Sequence, residues 1–173
     1  YIKKVLIFSY SNDTASIFVY NKNILIMKGG VSMKKCISFA LALLLALSWS
    51  ACAYNYDFLL VVDTSGSMDG DPIHALNDGV HTFIKAVQRD ETARYAVEVS
   101  VITFGGNVQE VSPMTPVHQI EQIAPLQASG STPMGEAVAH ALQRLELRKQ
   151  EYKQTGTSYY QPWIVIMSDG SPT

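Results

Sequence analysis

Two stretches of the chain are apolar without interruption. Phe58-Leu59-Leu60-Val61-Val62 closes on Asp63, and Pro162-Trp163-Ile164-Val165-Ile166-Met167 closes on Ser168-Asp169-Gly170. A short run with no polar alternation predicts a strand covered on both faces, as in a parallel sheet. Between these runs the period changes. Leu76, Val80, Phe83, Ile84 and Val87 fall on one stripe, which predicts a helix after Pro72, with Asp71 suited to cap it and Pro72 to its first turn. Met134, Val138, Ala141, Leu142 and Leu145 share a face and predict a second helix after Pro133, followed by a polar link over 148–160. From Arg94 to Phe104 the pattern alternates: Tyr95, Val97, Val99 and Val101 against Ala96, Glu98, Ser100 and Ile102. That strand ends at the turn signal Gly105-Gly106-Asn107 and returns as a short strand over Val108–Val111. Pro113, Pro116 and Pro125 then mark an irregular connection with a helical turn near Val117–Ile123. Strand, helix, strand, strand, irregular segment, helix, strand predicts the α/β class: a doubly wound, mostly parallel sheet with helices on both faces.

At 173 residues, 47% hydrophobic and 16% charged, the chain has room for one domain with a real core. Its two cysteines exclude a disulfide scaffold and a four-cysteine zinc site. The net charge of −2 conceals a division. Residues 1–53 hold six lysines against one acid, and residues 54–173 hold seven bases against fourteen acids. A domain with that acidic excess is a poor match for nucleic acid and a better one for cations.

Residues 33–53 have the order of a secretory signal peptide: Met33 and two lysines, an apolar run from Ile37 to Trp49, then Ala51-Cys52-Ala53 as cleavage site. The run is short for a membrane span of about 20 residues. The expected location is therefore secreted or periplasmic, with a membrane-anchored or cytoplasmic protein as the alternative. Any membrane contact would come through an uncleaved leader or a lipid on Cys52. Residues 1–32 carry no amphipathic period and look like translated spacer ahead of a start at Met33. They are expected to be untranslated or a disordered leader, the alternative being a β-hairpin from Val5–Tyr10 and Ser16–Tyr20.

The candidate chemistry lies at the strand ends. In an open α/β sheet, ligands bind beyond the carboxyl ends of the strands. Asp63 and Asp169 both end buried strands there, and two carboxylates brought together call for a cation. Ser65 and Ser67 follow Asp63 in D-T-S-G-S, where Gly66 permits a tight turn, and Thr132 stands ahead of the second helix. Five oxygen donors without sulfur or imidazole select Mg²⁺, with Mn²⁺ or Ca²⁺ also suited. Neutral hydroxyls leave such an ion electrophilic, so a partner's carboxylate can complete its shell. Ser65 and Ser67 also suit a turn and cap, and Thr132 a helix cap. Asp69 and Asp71 read as solvated loop acids, and His74, His81, His118 and His140 show no ligand spacing. Arg144, Arg148, Lys149 and Lys153 read as the solvent side of the second helix. Met68 and Met134 flank the strand ends, as an apolar rim or as core.

Asp63-Thr-Ser65-Gly-Ser67, Thr132 at 69 residues beyond Asp63 and Asp169 at 106 beyond it resemble the von Willebrand factor A (VWA) domain. DTSGSMDGDPIHALNDGV, SVITF, ASGSTPMGEAV and VIMSDGSPT are similar to bacterial tellurium-resistance-type members. The resemblance implies a Rossmann-like fold with strand order 3-2-1-4-5-6, here a partial domain over 54–173 lacking its last strands and helices, which would leave strand 162–168 as an open apolar edge. It also implies that Asp63, Ser65, Ser67, Thr132 and Asp169 form a metal-ion-dependent adhesion site. The expected function is a divalent-metal-dependent protein-interaction module, not an enzyme, whose partner supplies a carboxylate. The alternative is a metal-dependent hydrolase or phosphatase with Asp63 as nucleophile, although Ser65 stands where a second acid would be needed.

Overall fold

The computed structural model describes residues 54–169 together with the backbone of three strands near the N-terminus, β1 (Val5–Ser11), β2 (Thr14–Phe18) and β3 (Ile24–Lys28). The signal-peptide reading of 33–53 lies outside the described residues. The domain proper is built from β4 (Tyr56–Asp63), α1 (Asp71–Arg89), a short helix α2 (Ala93–Ala96), β5 (Val97–Gly105), β6 (Asn107–Pro116), α3 (Met134–Thr155) and β7 (Trp163–Ser168).

The sheet order across these strands is β6-β5-β4-β7, with β4 parallel to both β5 and β7 and β6 antiparallel at the edge. This is the α/β sheet that the sequence predicts, and its order is the first four of the six strands expected. Side chains alternate across β4 because successive residues of a strand point to opposite faces. Phe58, Leu60 and Val62 pack with the α1 stripe Leu76, Val80, Phe83, Ile84 and Val87. Leu59 and Val61 pack with Ile102, Phe104, Ile164 and Ile166 against Ala137, Ala141 and Leu145 of α3. Each apolar run thus has a helix on both sides.

Several local expectations are corrected. Gly70, not Asp71, occupies the N-cap of α1, and Asp71 begins the helix with Pro72 next. The alternating strand starts three residues later than expected, because 93–96 coil into α2 and leave Tyr95 64% exposed. The returning strand runs through Pro113 to Pro116. It tolerates both prolines because it is an edge strand, where a missing N–H costs no ladder bond. The irregular connection contains a single 3-10 turn, Val117–Gln119, and is stapled to α1 by amide side chains. Asn77 donates to Leu126 O at 2.9 Å and accepts from Leu126 N at 2.8 Å. Gln88 donates to Val117 O at 2.9 Å and Ile120 O at 2.7 Å. Met68 is buried in the α1 core, so it offers no rim to a partner.

The far flank of β7 is also not the open edge expected. β1 pairs with it in parallel, Val5 opposite Ile164 and Leu6 opposite Val165. β1 and β2 form the antiparallel hairpin that was the alternative for this segment, with Ser11 opposite Thr14, and β3 joins β1 in parallel.

The largest departure is in α3, which continues through the supposed polar link to Thr155 and ends on Gly156 in the left-handed conformation. Its last turns are not wholly a solvent face, although Lys153 is exposed as expected. Arg148 pairs with Glu98 of β5 and with Glu151 at 2.7 Å, and Arg144 pairs with Glu110 of β6 at 3.1 Å. Lys149 is buried along its stem and reaches Glu146 at 2.6 Å. Tyr152 is buried and donates to Asp57 Oδ1 at 2.7 Å. Asp57 itself is 0% exposed, lies opposite Glu98 in the ladder, and its Oδ2 has no hydrogen-bond partner.

Burial pushes the Asp57 carboxyl up to about 6; the neighbouring Glu98 adds to this, while the Tyr152 hydroxyl and Arg148 oppose it. The folded state then holds this proton more tightly than the unfolded chain. The resulting stabilisation is complete below the ordinary carboxylate range and is lost as pH rises through about 6. The ionised group therefore opposes folding at neutral pH by at most about 3 kcal/mol. Asp57→Asn keeps an acceptor for Tyr152 and never ionises. It should melt above the wild type at pH 7.5, and the difference should shrink to nothing near pH 4 in thermal melts across that range. A pH-independent difference would refute the assignment.

Candidate metal-binding edge

The carboxyl ends of β4 and β7 lie side by side, Val62 opposite Met167, so the chain leaves both strands at one edge. Asp63, the last residue of β4, is 0% exposed. Its Oδ1 accepts from the Ser65 backbone N–H at 2.8 Å, and its Oδ2 accepts from Ser168 Oγ at 2.5 Å. The first bond is an Asx-type turn: the carboxylate folds the next two residues back over itself. Ser65 Oγ lies 3.1 Å from Ser67 Oγ, and Ser67 Oγ donates to Asp169 Oδ1 at 2.9 Å. A chain of hydrogen bonds therefore runs from Asp63, through the backbone N–H and then the hydroxyl of Ser65, to Ser67 and Asp169, buried at one end and open to solvent at Ser67. Ser65 precedes the 3-10 turn Gly66–Met68 without a side-chain cap bond.

Thr132 reaches this edge through the backbone of the loop before it. Ser129 N–H donates to Thr64 O at 2.7 Å, and Gly66 N–H donates to Gly130 O at 2.9 Å. Thr132 is buried, and Pro133, not Thr132, stands at the N-cap position of α3. Four of the five candidate residues thus meet through their own atoms, and the loop that precedes the fifth is tied to the same edge through its main chain. Ser168, which the sequence reading passed over, is the residue that fixes Asp63. Its signal is positional: it ends β7 beside the end of β4, one residue before Asp169.

Electrostatically the edge is unbalanced. Among the described residues no lysine, arginine or histidine forms an ion pair with Asp63 or Asp169. Neutral donors offset part of the desolvation of a buried carboxylate, and the remainder calls for a positive charge. The donors available to an ion are hydroxyl and carboxylate oxygens, and among the described residues no three of His, Cys, Asp and Glu gather. Such a set fits a hard cation and does not fit zinc or copper.

The fold is a doubly wound α/β domain with hydroxyl and carboxylate oxygens gathered at its strand ends. The model of the von Willebrand factor type A domain matches residues 58–171, and the chain belongs to that family. No curated protein matches the chain. Members of the family are in general metal-dependent protein-interaction modules.

Ser168→Ala would leave Asp63 Oδ2 buried without its donor and should cost about 1–3 kcal/mol in denaturant unfolding. Ser67→Ala, at the solvent end, should change stability by less than about 0.5 kcal/mol in the metal-free protein. Equal effects would mean that Asp63 does not depend on Ser168.

Proposed function

We propose that Asp63, Ser65, Ser67, Thr132 and Asp169 form a metal-ion-dependent adhesion site that holds Mg²⁺, with Mn²⁺ or Ca²⁺ as substitutes, and that through it the domain binds a partner protein. The observation that carries this reading is the buried Asp63 carboxylate, held by two neutral donors and, among the described residues, by no cationic side chain. Asp63 and Asp169 bring negative charge to the site, Ser65, Ser67 and Thr132 bring neutral oxygens, and Ser168 keeps Asp63 oriented. A bound ion would supply an electrophilic position for one acidic side chain of the partner. The domain acts by binding: no residue here is assigned to a chemical step.

The local similarity to bacterial tellurium-resistance-type domains suggests a bacterial assembly in which such a contact is used. The leader suggests an exported protein; cleavage after Ala53 would remove β1–β3 and uncover the flank of β7.

Calorimetric titration of the full chain with Mg²⁺, Mn²⁺ and Ca²⁺ tests the site. Ser65→Ala/Ser67→Ala should lose at least tenfold in affinity for the preferred ion while remaining folded. Unchanged affinity in the double variant would remove these hydroxyls from the site.

A further inference from the structure

Three loops meet at the carboxyl edge, and glycine backbone makes the contacts between them. The first is Thr64–Ser67, leaving β4. The second is the tip of the β5–β6 hairpin, Phe104–Gly106. The third is Ser129–Ser131, leading to Thr132. Each loop bonds to both others. Thr64 N–H donates to Phe104 O at 2.9 Å, Gly106 N–H donates to Ser131 O at 2.8 Å, and the third loop is tied to the first through Ser129 and Gly66 as described.

The packing leaves no room for a side chain at two of these glycines. A Cβ on Gly105 would stand 2.2 Å from Thr64 O. A Cβ on Gly130 would stand 2.5 Å from Gly106 Cα and 2.6 Å from Gly106 N. The obstruction is backbone in both cases, so no rotamer change relieves it. Gly106 and Gly130 also have φ of +72° and +76°, where a Cβ is unfavourable. The held groups flank the oxygen donors: Thr64 lies between Asp63 and Ser65, and Ser131 directly precedes Thr132.

We propose that Gly105, Gly106 and Gly130 are positioning residues for the cation site, a backbone clamp by which the hairpin tip sets the separation between the Asp63–Ser67 donors and Thr132. The proposal rests on the metal-site reading above. It adds that the hairpin tip, which contributes no donor to the ion, governs affinity, and that the donors are already arranged before the ion arrives. An ion entering a preset cage does not have to order three loops, so its binding is tighter than the same donors on free loops would allow.

The test compares Gly130→Ala with Gly156→Ala in the full chain. Gly156 has φ of +68°, close to Gly130, but nothing lies within 4 Å of an added Cβ. Both variants carry the same kind of backbone strain, and only Gly130→Ala opens the clamp. Melting in EDTA should fall in both. Mg²⁺ affinity by calorimetry should fall at least tenfold in Gly130→Ala and stay within twofold of wild type in Gly156→Ala. Wild-type affinity in a folded Gly130→Ala would overturn the proposal, as would an equal loss in Gly156→Ala. Hydrogen exchange on the wild type tests it without any variant. The amides of Gly66, Gly106 and Ser129 should be protected in EDTA as well as in Mg²⁺. Protection that appears only with Mg²⁺ would show that the ion, not the glycine contact, assembles the loops, and would overturn the clamp while leaving the metal site standing. Absence of any Mg²⁺ binding by the wild type would instead remove the site itself, and the clamp with it.

Discussion

A carboxylate with no access to water, at the end of the central strand, is the constraint around which this edge is organised. Asp63 has Ser65 N–H on one oxygen and Ser168 Oγ on the other. Those two bonds fix the direction in which the chain leaves β4 and its distance from the end of β7. Neutral donors do not cancel a charge, however, and the edge retains an electrostatic deficit that a hard cation would remove. Under the proposed function, folding energy and binding chemistry are joined in one residue.

The rest of the fold holds that group still. The apolar runs of β4 and β7 are buried on both faces, so neither strand can slide without exposing a row of side chains. α1 and α3 cover opposite faces and enter at the same edge. At the opposite end of β4 a second buried acid, Asp57, is treated differently. It has Tyr152 and Glu98 close by, with Arg148 among its neighbours, and burial raises its proton affinity. One strand thus carries a buried acid at each end. At the far end the charge can be relieved by a proton, and at the loop end the reading offered is relief by a metal ion.

Much of this was legible in the residues, and the reason is periodicity. Uninterrupted apolar runs identify two-sided strands, and the α1 stripe places five of the seven buried positions of that helix, missing Ile73 and Gly79. The five candidate donors are legible for the same reason: they sit at fixed offsets from strand ends that the pattern locates. What was not legible depends on partners remote in sequence. The last turns of α3 look like a polar link because Arg148, Lys149 and Tyr152 show no apolar stripe. Arg148 and Tyr152 are held by Glu98 and Asp57, which strand pairing sets opposite each other. Pro113 and Pro116 look like breakers until β6 proves to be an edge. Ser168 looks like the end of a run until its hydroxyl is seen on Asp63. The glycine contacts are invisible to any local pattern, because Gly105 and Gly130 are neighbours only once three loops have met. The leading strands β1–β3 lack a helical period, and β1 covers the edge of β7 that would otherwise be open.

The central claim is that Asp63 carries a buried charge which a divalent ion relieves. Melting temperatures of the wild type and Asp63→Asn, each in EDTA and in saturating Mg²⁺, test it most directly. Asparagine keeps the acceptor for Ser65 and can still bond to Ser168, so it removes the charge with little change of shape. In EDTA, Asp63→Asn should melt above the wild type; in Mg²⁺ the wild type should rise and the variant should not. An equal rise in both proteins, or a lower melting temperature for the variant in EDTA, would contradict the claim.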